Sequence, residues 1–435
     1  MLWKLVQRGL TRSPKISLLL RKGRGYMGTR VRSKRGSKSL LNEYYELRVD
    51  GGKAYVKSDS FGKIYSIDAI IFDCDGVLID ARRSYDEAIR RTIQHIFAQL
   101  TGCPLSLSTI PKEAIYNLRL SGGFNFDWDT TYVIALALFK NLPKRFQEAF
   151  SEAAKQIEAE EAIQRLTAAS SKLSGRMPKD YFKKKGKTLR EALIKITQSR
   201  PEDREAAERL ILESAEREGC AEHLKDFINF LAYTSEAPRN IISVVFDTYF
   251  YGPEPFKELY GFESWLSVRN GLIEKERLII TEETLKALRE MLGEGKLGLA
   301  TGRSSLATKK TLGGLLNYFN SRGMVFLEDL KFKMGGSETL IKPYVKPQPY
   351  ALLEAAAGLG DVRSVLYVGN SAEDYIMAKN ANGVKKIFSF AGCYALQNSP
   401  GKMIKLFKDA EAAIIIPTVN DLPKVLEYVR GVRGG

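Results

Sequence analysis

Five short apolar runs alternate with helix-like stretches in the chain beyond Leu292. They are LGLA (297–300), MVFL (324–327), SVLYV (364–368), KKIFSF (385–390) and AAIII (412–416). Helical patterning falls near 304–318, 348–359, 372–382 and 421–430. An alternation of this kind joins parallel strands through crossover helices, which bury both faces of the sheet. An earlier run, SIDAIIF (66–72), has the same apolar character and stops at Asp73. The fold class these runs predict is α/β: a doubly wound, mostly parallel sheet with a Rossmann-like core. Such sheets take their ligands beyond the carboxyl ends of the strands, so the strand tails are where chemistry is to be sought.

Between the first of these strands and the rest, helical patterning continues almost unbroken from Arg83 to about Arg289. Segments such as EAAKQIEAEEAIQRL and REAAERLILESAEREG alternate charge blocks with Leu, Ile and Ala at helical spacing, the pattern of helices with one buried face. The predicted organisation is a basic flexible tail at 1–40, a short β-rich lead-in at 41–65 and an α/β catalytic core from 66–82 and 291–435. A large α-helical cap domain, 83–290, is inserted into that core. In the lead-in, YYELRV and GGKAYV read as strands around the Gly51-Gly52 turn.

The formal charge of +16 invites a nucleic-acid or anionic-membrane reading. Its distribution argues otherwise. Residues 1–40 hold 12 Lys or Arg and no acid, and without them 55 basic residues face 51 acidic ones, a net of +4. Nucleic acid is therefore not the expected partner, the basic tail aside. That tail reads as a solvated segment; an organellar targeting segment and a start assigned upstream of Met27 are the alternatives. No apolar run approaches the ~18–20 residues of a membrane span. Four scattered cysteines (Cys74, Cys103, Cys220, Cys393) form no CxxC pair, which fits a reducing, cytoplasmic location and neither a disulfide framework nor a zinc site. With only His95 and His223 present, histidine-based chemistry is poorly supplied.

Three strand ends and one Lys-Pro loop carry residues that make chemical sense together. Asp73-Cys74-Asp75-Gly76 follows the opening strand. Residues two apart in an extended chain point the same way, so both carboxylates face one pocket, while Cys74 between them points into the core. Two close acids repel unless a cation or a shared proton compensates, which suits a nucleophile beside a general acid with bound Mg²⁺. Thr301-Gly302-Arg303 closes a strand and opens a helix, a cradle for phosphate; a solvated helix-start role for Arg303 is the bland alternative. Lys346, before Pro347-Gln348-Pro349, would neutralise a transferring phosphoryl group, with Lys342 a competing candidate. Gly369-Asn370-Ser371-Ala372-Glu373-Asp374 supplies oxygen donors for a hard cation. In the cap, Gly122, Gly123, Asn125, Asp127, Trp128 and Asp129 form a polar and aromatic loop able to close over a substrate. The competing reading there is structural, with Asp129 as a helix N-cap and Trp128 packed in an interface.

These segments resemble the haloacid dehalogenase superfamily of phosphohydrolases, in the subgroup with a helical cap between the first and second motifs. DCDGVLID (73–80) resembles the first motif, ATGRSS (300–305) the second, KPQPYALLEA (346–355) the third and GNSAEDYIMAKNANG (369–383) the fourth. SYDEAIRRTI (84–93) is similar to the usual first cap helix. GGFNFDWDTTYVIAL (122–136) and GLIEKERLIITEETLKAL (271–288) resemble an uncharacterised phosphatase-like branch. The resemblance implies that Asp73 attacks phosphorus and that Asp75 protonates the leaving alkoxide, then activates water. It implies that Thr301 and Lys346 hold phosphoryl oxygens, and that Mg²⁺ sits between Asp73, the Asp75 carbonyl and the fourth motif. The acid at Asp75 separates phosphate-ester members from dehalogenases, whose leaving groups need no proton. The family's fourth motif opens Gly-Asp; Asn370 here removes one negative charge, and Asp374 is the candidate to take over the metal contact.

The expectation is thus Mg²⁺-dependent hydrolysis of a small phosphorylated metabolite. Catalytic residues are Asp73, Asp75, Thr301 and Lys346; substrate is bound by Thr301, Gly302, Arg303, Lys346, Asn125 and Trp128, and metal by Asp73, Asp75, Asn370 and Asp374. A sugar-phosphate phosphomutase and a catalytically decayed binding protein anchored by its basic tail are the alternatives.

Overall fold

The computed structural model describes residues 44–121, 123–124, 126–333, 341, 343–397 and 399–434. The basic segment 1–40, Gly122, Asn125 and Lys342 lie outside the described residues.

The first two strands, β1 (Tyr44–Val49) and β2 (Gly52–Lys57), form an antiparallel hairpin at the Gly51-Gly52 turn. The opening strand of the core is β3 (Ala69–Phe72). Next come β4 (Ile79–Asp80) and β5 (Arg277–Leu278), which pair with each other away from the main sheet. The core continues with β6 (Leu297–Thr301), β7 (Met324–Phe326), β8 (Val365–Gly369), β9 (Phe388–Cys393) and β10 (Ile414–Ile416). The eight-stranded sheet runs β1-β2-β10-β9-β8-β3-β6-β7, and every pair from β10 to β7 is parallel. The lead-in hairpin joins as an antiparallel edge, with Ile414 opposite Val56.

The alternation of side chains along a strand sorts the core into two layers. Ile70 and Phe72 of β3 pack on one face with Leu299, Leu366, Val368 and Ile414. Ala69 and Ile71 pack on the other with Val365, Tyr367, Ala355 and Phe407. Strands buried on both sides read as unbroken apolar runs, which is why the sheet was visible in the sequence. On one side of β3 the order proceeds to β6 and β7, and on the other to β8, β9 and β10. The end of β3 is therefore the topological switch point, where a crevice opens.

Eleven-residue to seventeen-residue helices such as Tyr85–Thr101, Asp127–Lys140, Arg204–Arg217, Ala221–Leu231 and Ile241–Tyr251 occupy the interval between β4 and β5. They share a separate core built on Ile93, Phe97, Leu136, Phe139, Phe150 and Phe227, where the Phe139 and Phe227 rings stack 4.2 Å apart. This helical body ends earlier than the expected residue 290. The helix Glu282–Leu292 packs its Leu285 and Leu288, with Ile280, into the sheet's own core. Its amphipathic pattern is the same as that of the inserted helices, so periodicity alone could not tell which core it faces.

Candidate active site

The chain leaves β3 into a tight loop. The Asp73 N–H donates to Val368 O on β8 (2.9 Å), prolonging the sheet by one residue, and the Gly76 N–H donates to Ile79 O (2.7 Å) to close the turn. Gly76 sits at φ +77, and a Cβ there would lie 1.8 Å from Asn370 Nδ2. Only glycine meets both demands. The close approach presses the Asn370 amide against the loop that joins the two aspartates.

Lys346 enters from the loop before the helix Tyr350–Gly358. Its Nζ lies 2.8 Å from Asp73 Oδ1 and 2.7 Å from Asp374 Oδ1, and all three groups are buried. Asp374 is the hub of the next loop. Its Oδ1 also accepts the Tyr367 hydroxyl (2.9 Å), and its Oδ2 accepts the Asn370 N–H, the Ser371 N–H and the Ser371 hydroxyl. Ser371 and Asp374 form a capping box at the start of the helix Ala372–Val384. These bonds occupy both oxygens of Asp374. Burial pushes its pKa up, but the Lys346 cation and the hydroxyl donors outweigh this and hold it below the usual carboxylate range. Asp73 shares the same lysine with fewer donors, and burial raises its pKa.

Asp75 faces a different cation. Burial pushes its carboxyl up to about 7, with Arg303 opposing and Glu276 and Asp73 reinforcing the shift. Arg303 Nη1 donates to Asp75 Oδ1 (3.0 Å). Its remaining bonds lead inward: Nη1 to Glu276 Oε1 (3.1 Å), Nη2 to Glu276 Oε2 (2.5 Å), and Nη2 to Ala307 O and the Thr311 hydroxyl. Thr301, at the end of β6, is buried, and its hydroxyl accepts the Arg303 N–H at 3.3 Å. Cys74 lies in the sheet core, where burial and the flanking aspartates push its thiol far up. That placement leaves it inert as a nucleophile.

A cavity of about 90 Å³ opens beside Asp75, walled by Gly302, Arg303, Glu328, Tyr85, Phe126, Asp127, Trp128 and Phe246. Trp128 is fixed there by its Nε1–H, which donates to Asp247 (3.1 Å), and Asp127 by Arg119 (2.8 Å). Asp129 is not the N-cap. The helix begins at Asp127 after Phe126, and the Asp129 carboxylate instead accepts the Tyr233 hydroxyl and faces Arg204 at 3.7 Å. A larger cavity of about 580 Å³ lies among Tyr132, Arg204, Glu208 and Asn229. It contains none of the expected site residues.

Of the site residues read from sequence, Asp73, Lys346 and Asp374 form one cluster, and Asp75 and Arg303 another two residues along the loop. Gly302 and Trp128 line the adjoining cavity, Thr301 and Asn370 sit on the flanking strand ends, and Asn125 lies outside the described residues. Arg303, expected at substrate phosphate, directs its Nη donors to protein groups. Among the described residues no group of three or more His, Cys, Asp or Glu side chains is arranged to hold a metal. Oxygen donors for a cation would come from Asp73, the Asn370 amide that rests on Gly76 and the loop carbonyls, a hard and weakly charged set that fits Mg²⁺ with retained waters. Glu276, Ser84 and Tyr367 were missed. Tyr367 left a signal, a hydroxyl in a strand buried on both faces that must find a partner. Glu276 left none within its charged surroundings, EKERL.

No protein-family model and no curated protein matches the chain. Among solved structures it is similar to a Northeast Structural Genomics Consortium target, with a TM-score of 0.57 and 16% identity over 83% of this chain and 98% of that one. It also aligns with phosphatase Tt82 from Thermococcus thioreducens, with a TM-score of 0.41 and 21% identity over 82% and 98% of the two chains. The likeness is one of fold and rests on the first of these. The fold is thus an α/β one: a mostly parallel, Rossmann-like sheet with a helical cap. Among the described residues no helix is long and apolar enough to cross a membrane.

Proposed function

We propose that this chain hydrolyses a small phosphate monoester, with Asp73 as nucleophile. The observation that carries the reading is the buried contact of Lys346 with Asp73 at the switch point of the sheet, two residues from Asp75, which lines the adjoining cavity. An Asp73 carboxylate oxygen attacks phosphorus and the bond to the ester oxygen breaks. Asp75 donates a proton to that departing oxygen, then takes one from the water that cleaves the aspartyl-phosphate and restores Asp73. Lys346 offsets charge on the phosphoryl oxygens, and Thr301 and Gly302 offer donors at the end of β6. Mg²⁺, held by Asp73, the Asp75 carbonyl and Asn370, would supply further neutralisation of the phosphoryl group. Asp374 acts through Lys346, since its own oxygens are taken up by hydrogen bonds. The sequence motifs and the narrow cavity beside Asp75 support a small leaving group.

The test is Asp73→Asn, assayed on an aryl phosphate with Mg²⁺. Loss of turnover with an unchanged circular-dichroism spectrum is expected. Retained turnover rejects the nucleophile and with it the hydrolase reading.

A further inference from the structure

We propose that Glu276 and Arg303 are positioning residues that aim Asp75 at the leaving-group oxygen, and that this aim is set where the two chain crossings to the helical body meet. The proposal rests on the reading of Asp75 as proton donor.

Arg303 and Glu276 side chains are both 0% exposed, a fully buried pair. The contact is two-pronged, Nη1 to Oε1 and Nη2 to Oε2. A planar guanidinium bound in this way has its orientation fixed as well as its charge neutralised. The Arg303 guanidinium carbon also lies 5.7 Å from the centre of the Tyr85 ring, within cation–π range. The same Nη1 that meets Glu276 reaches Asp75 Oδ1. That bond occupies Oδ1. Asp75 Oδ2 accepts no hydrogen bond from the described residues, and the side chain keeps 37% of its exposure, toward the cavity. The proton for the departing oxygen therefore belongs on Oδ2.

Glu276 is itself held from both crossings. It immediately precedes β5 on the return, and its Oε1 accepts the Ser84 hydroxyl (2.7 Å) from the outgoing crossing. The Thr311 hydroxyl donates to Oε2 (2.6 Å). β4 and β5 pair directly, Asp80 opposite Arg277. A shift of either crossing thus moves Glu276, and through Arg303 it moves Asp75.

A residue that aims a proton donor matters most when the leaving group needs the proton. The experiment compares p-nitrophenyl phosphate, whose phenolate departs readily, with phenyl phosphate, whose leaving group is as basic as tyrosine. In Glu276→Gln, kcat on phenyl phosphate is expected to fall about tenfold or more beyond any fall on the nitrophenyl ester, a fraction of the ~10²–10⁴ that a general acid supplies. KM for both esters should stay within about twofold of wild type. Equal losses on both esters, or a change in KM alone, would overturn the proposal. Should the charge left on Arg303 block folding, Ser84→Ala keeps both charges and carries the test. A selective loss of about threefold is expected, a fraction of what one hydrogen bond to a charged group contributes because Ser84 acts on Asp75 only through Glu276 and Arg303, and an unchanged ratio of the two rates overturns the proposal. Wild-type protein that cleaves neither ester would remove the hydrolase reading itself, whereas unselective losses in an active enzyme remove only this role.

Discussion

Replacing Lys346 by methionine keeps the length of the side chain and deletes its charge. The lysine stands 2.8 Å from Asp73 and 2.7 Å from Asp374, with all three side chains 10% exposed or less. Breaking a buried pair by removing one partner costs about 3–5 kcal/mol, because the charge left behind has no solvent to turn to. Here two carboxylates are left, so Lys346→Met is expected at the upper end of that range. That is a large share of the ~5–15 kcal/mol that stabilises a typical domain. A second change should recover much of the loss. In Lys346→Met/Asp374→Asn, the amide oxygen can keep the Asn370 and Ser371 donors while the amide N–H₂ donates to the Tyr367 hydroxyl oxygen. About half of the cost should return, since one of the two stranded carboxylates is neutralised while Asp73 stays without its cation. Urea unfolding in metal-free buffer, followed by circular dichroism, measures both variants, provided the m-values agree. A single-variant cost below about 1 kcal/mol, or a double variant no better than the single, would refute a shared buried cation.

Gly76→Ala should cost more than the ~1–2 kcal/mol of a left-handed residue, because its Cβ meets the Asn370 amide. In an Asn370→Ala background the cost should fall back to that range, and equal costs in both backgrounds would disprove the contact. His95 makes a pH prediction. Burial lowers its pKa from 6.5 to about 4, so the unfolded chain takes up the proton first. Its contribution is complete above about pH 6.5 and is lost as pH falls toward 4, by up to ~3 kcal/mol. His95→Phe should flatten the stability curve over that window, and parallel curves for variant and wild type would refute the assignment.

The core sheet was legible because most of its strands are buried on both faces and are almost continuously apolar. Where polarity does intrude, the boundary moved. The run KKIFSF was read from 385, but Lys385 and Lys386 are exposed and the strand instead takes in Ala391, Gly392 and Cys393. Small residues carry little strand propensity, so the register came from pairing with β8 and β10 and not from local preference. Asp73 and Asp374 stood out because they follow the ends of β3 and β8 closely, and Lys346 because it precedes a helix in a Pro-rich loop. The part played by Asp374 was only half seen. Ser371-Ala372-Glu373-Asp374 carries a capping-box signature, yet it was read as a metal ligand. Glu276 could not be picked out, since its function depends on Arg303 and Ser84, both remote in sequence, arriving at the same buried spot. Asp129 misled for a related reason. Its capping propensity is real, but Arg204 and Tyr233 compete for the carboxylate.

The two short strands that carry the chain out to the helices and back lie side by side, Ile79 opposite Leu278. Their ends are close enough for a tight hairpin to bridge, which makes the helical body look detachable. Charge neutrality says otherwise. The fully buried acid that meets Arg303 with both oxygens arrives on the return path, and the serine that steadies it stands on the way out. A trimmed sheet would keep a buried guanidinium with only the partly exposed Asp75 left to balance it. A protein that shed or exchanged these helices would strip Arg303 of its two-pronged partner unless residue 303 changed as well.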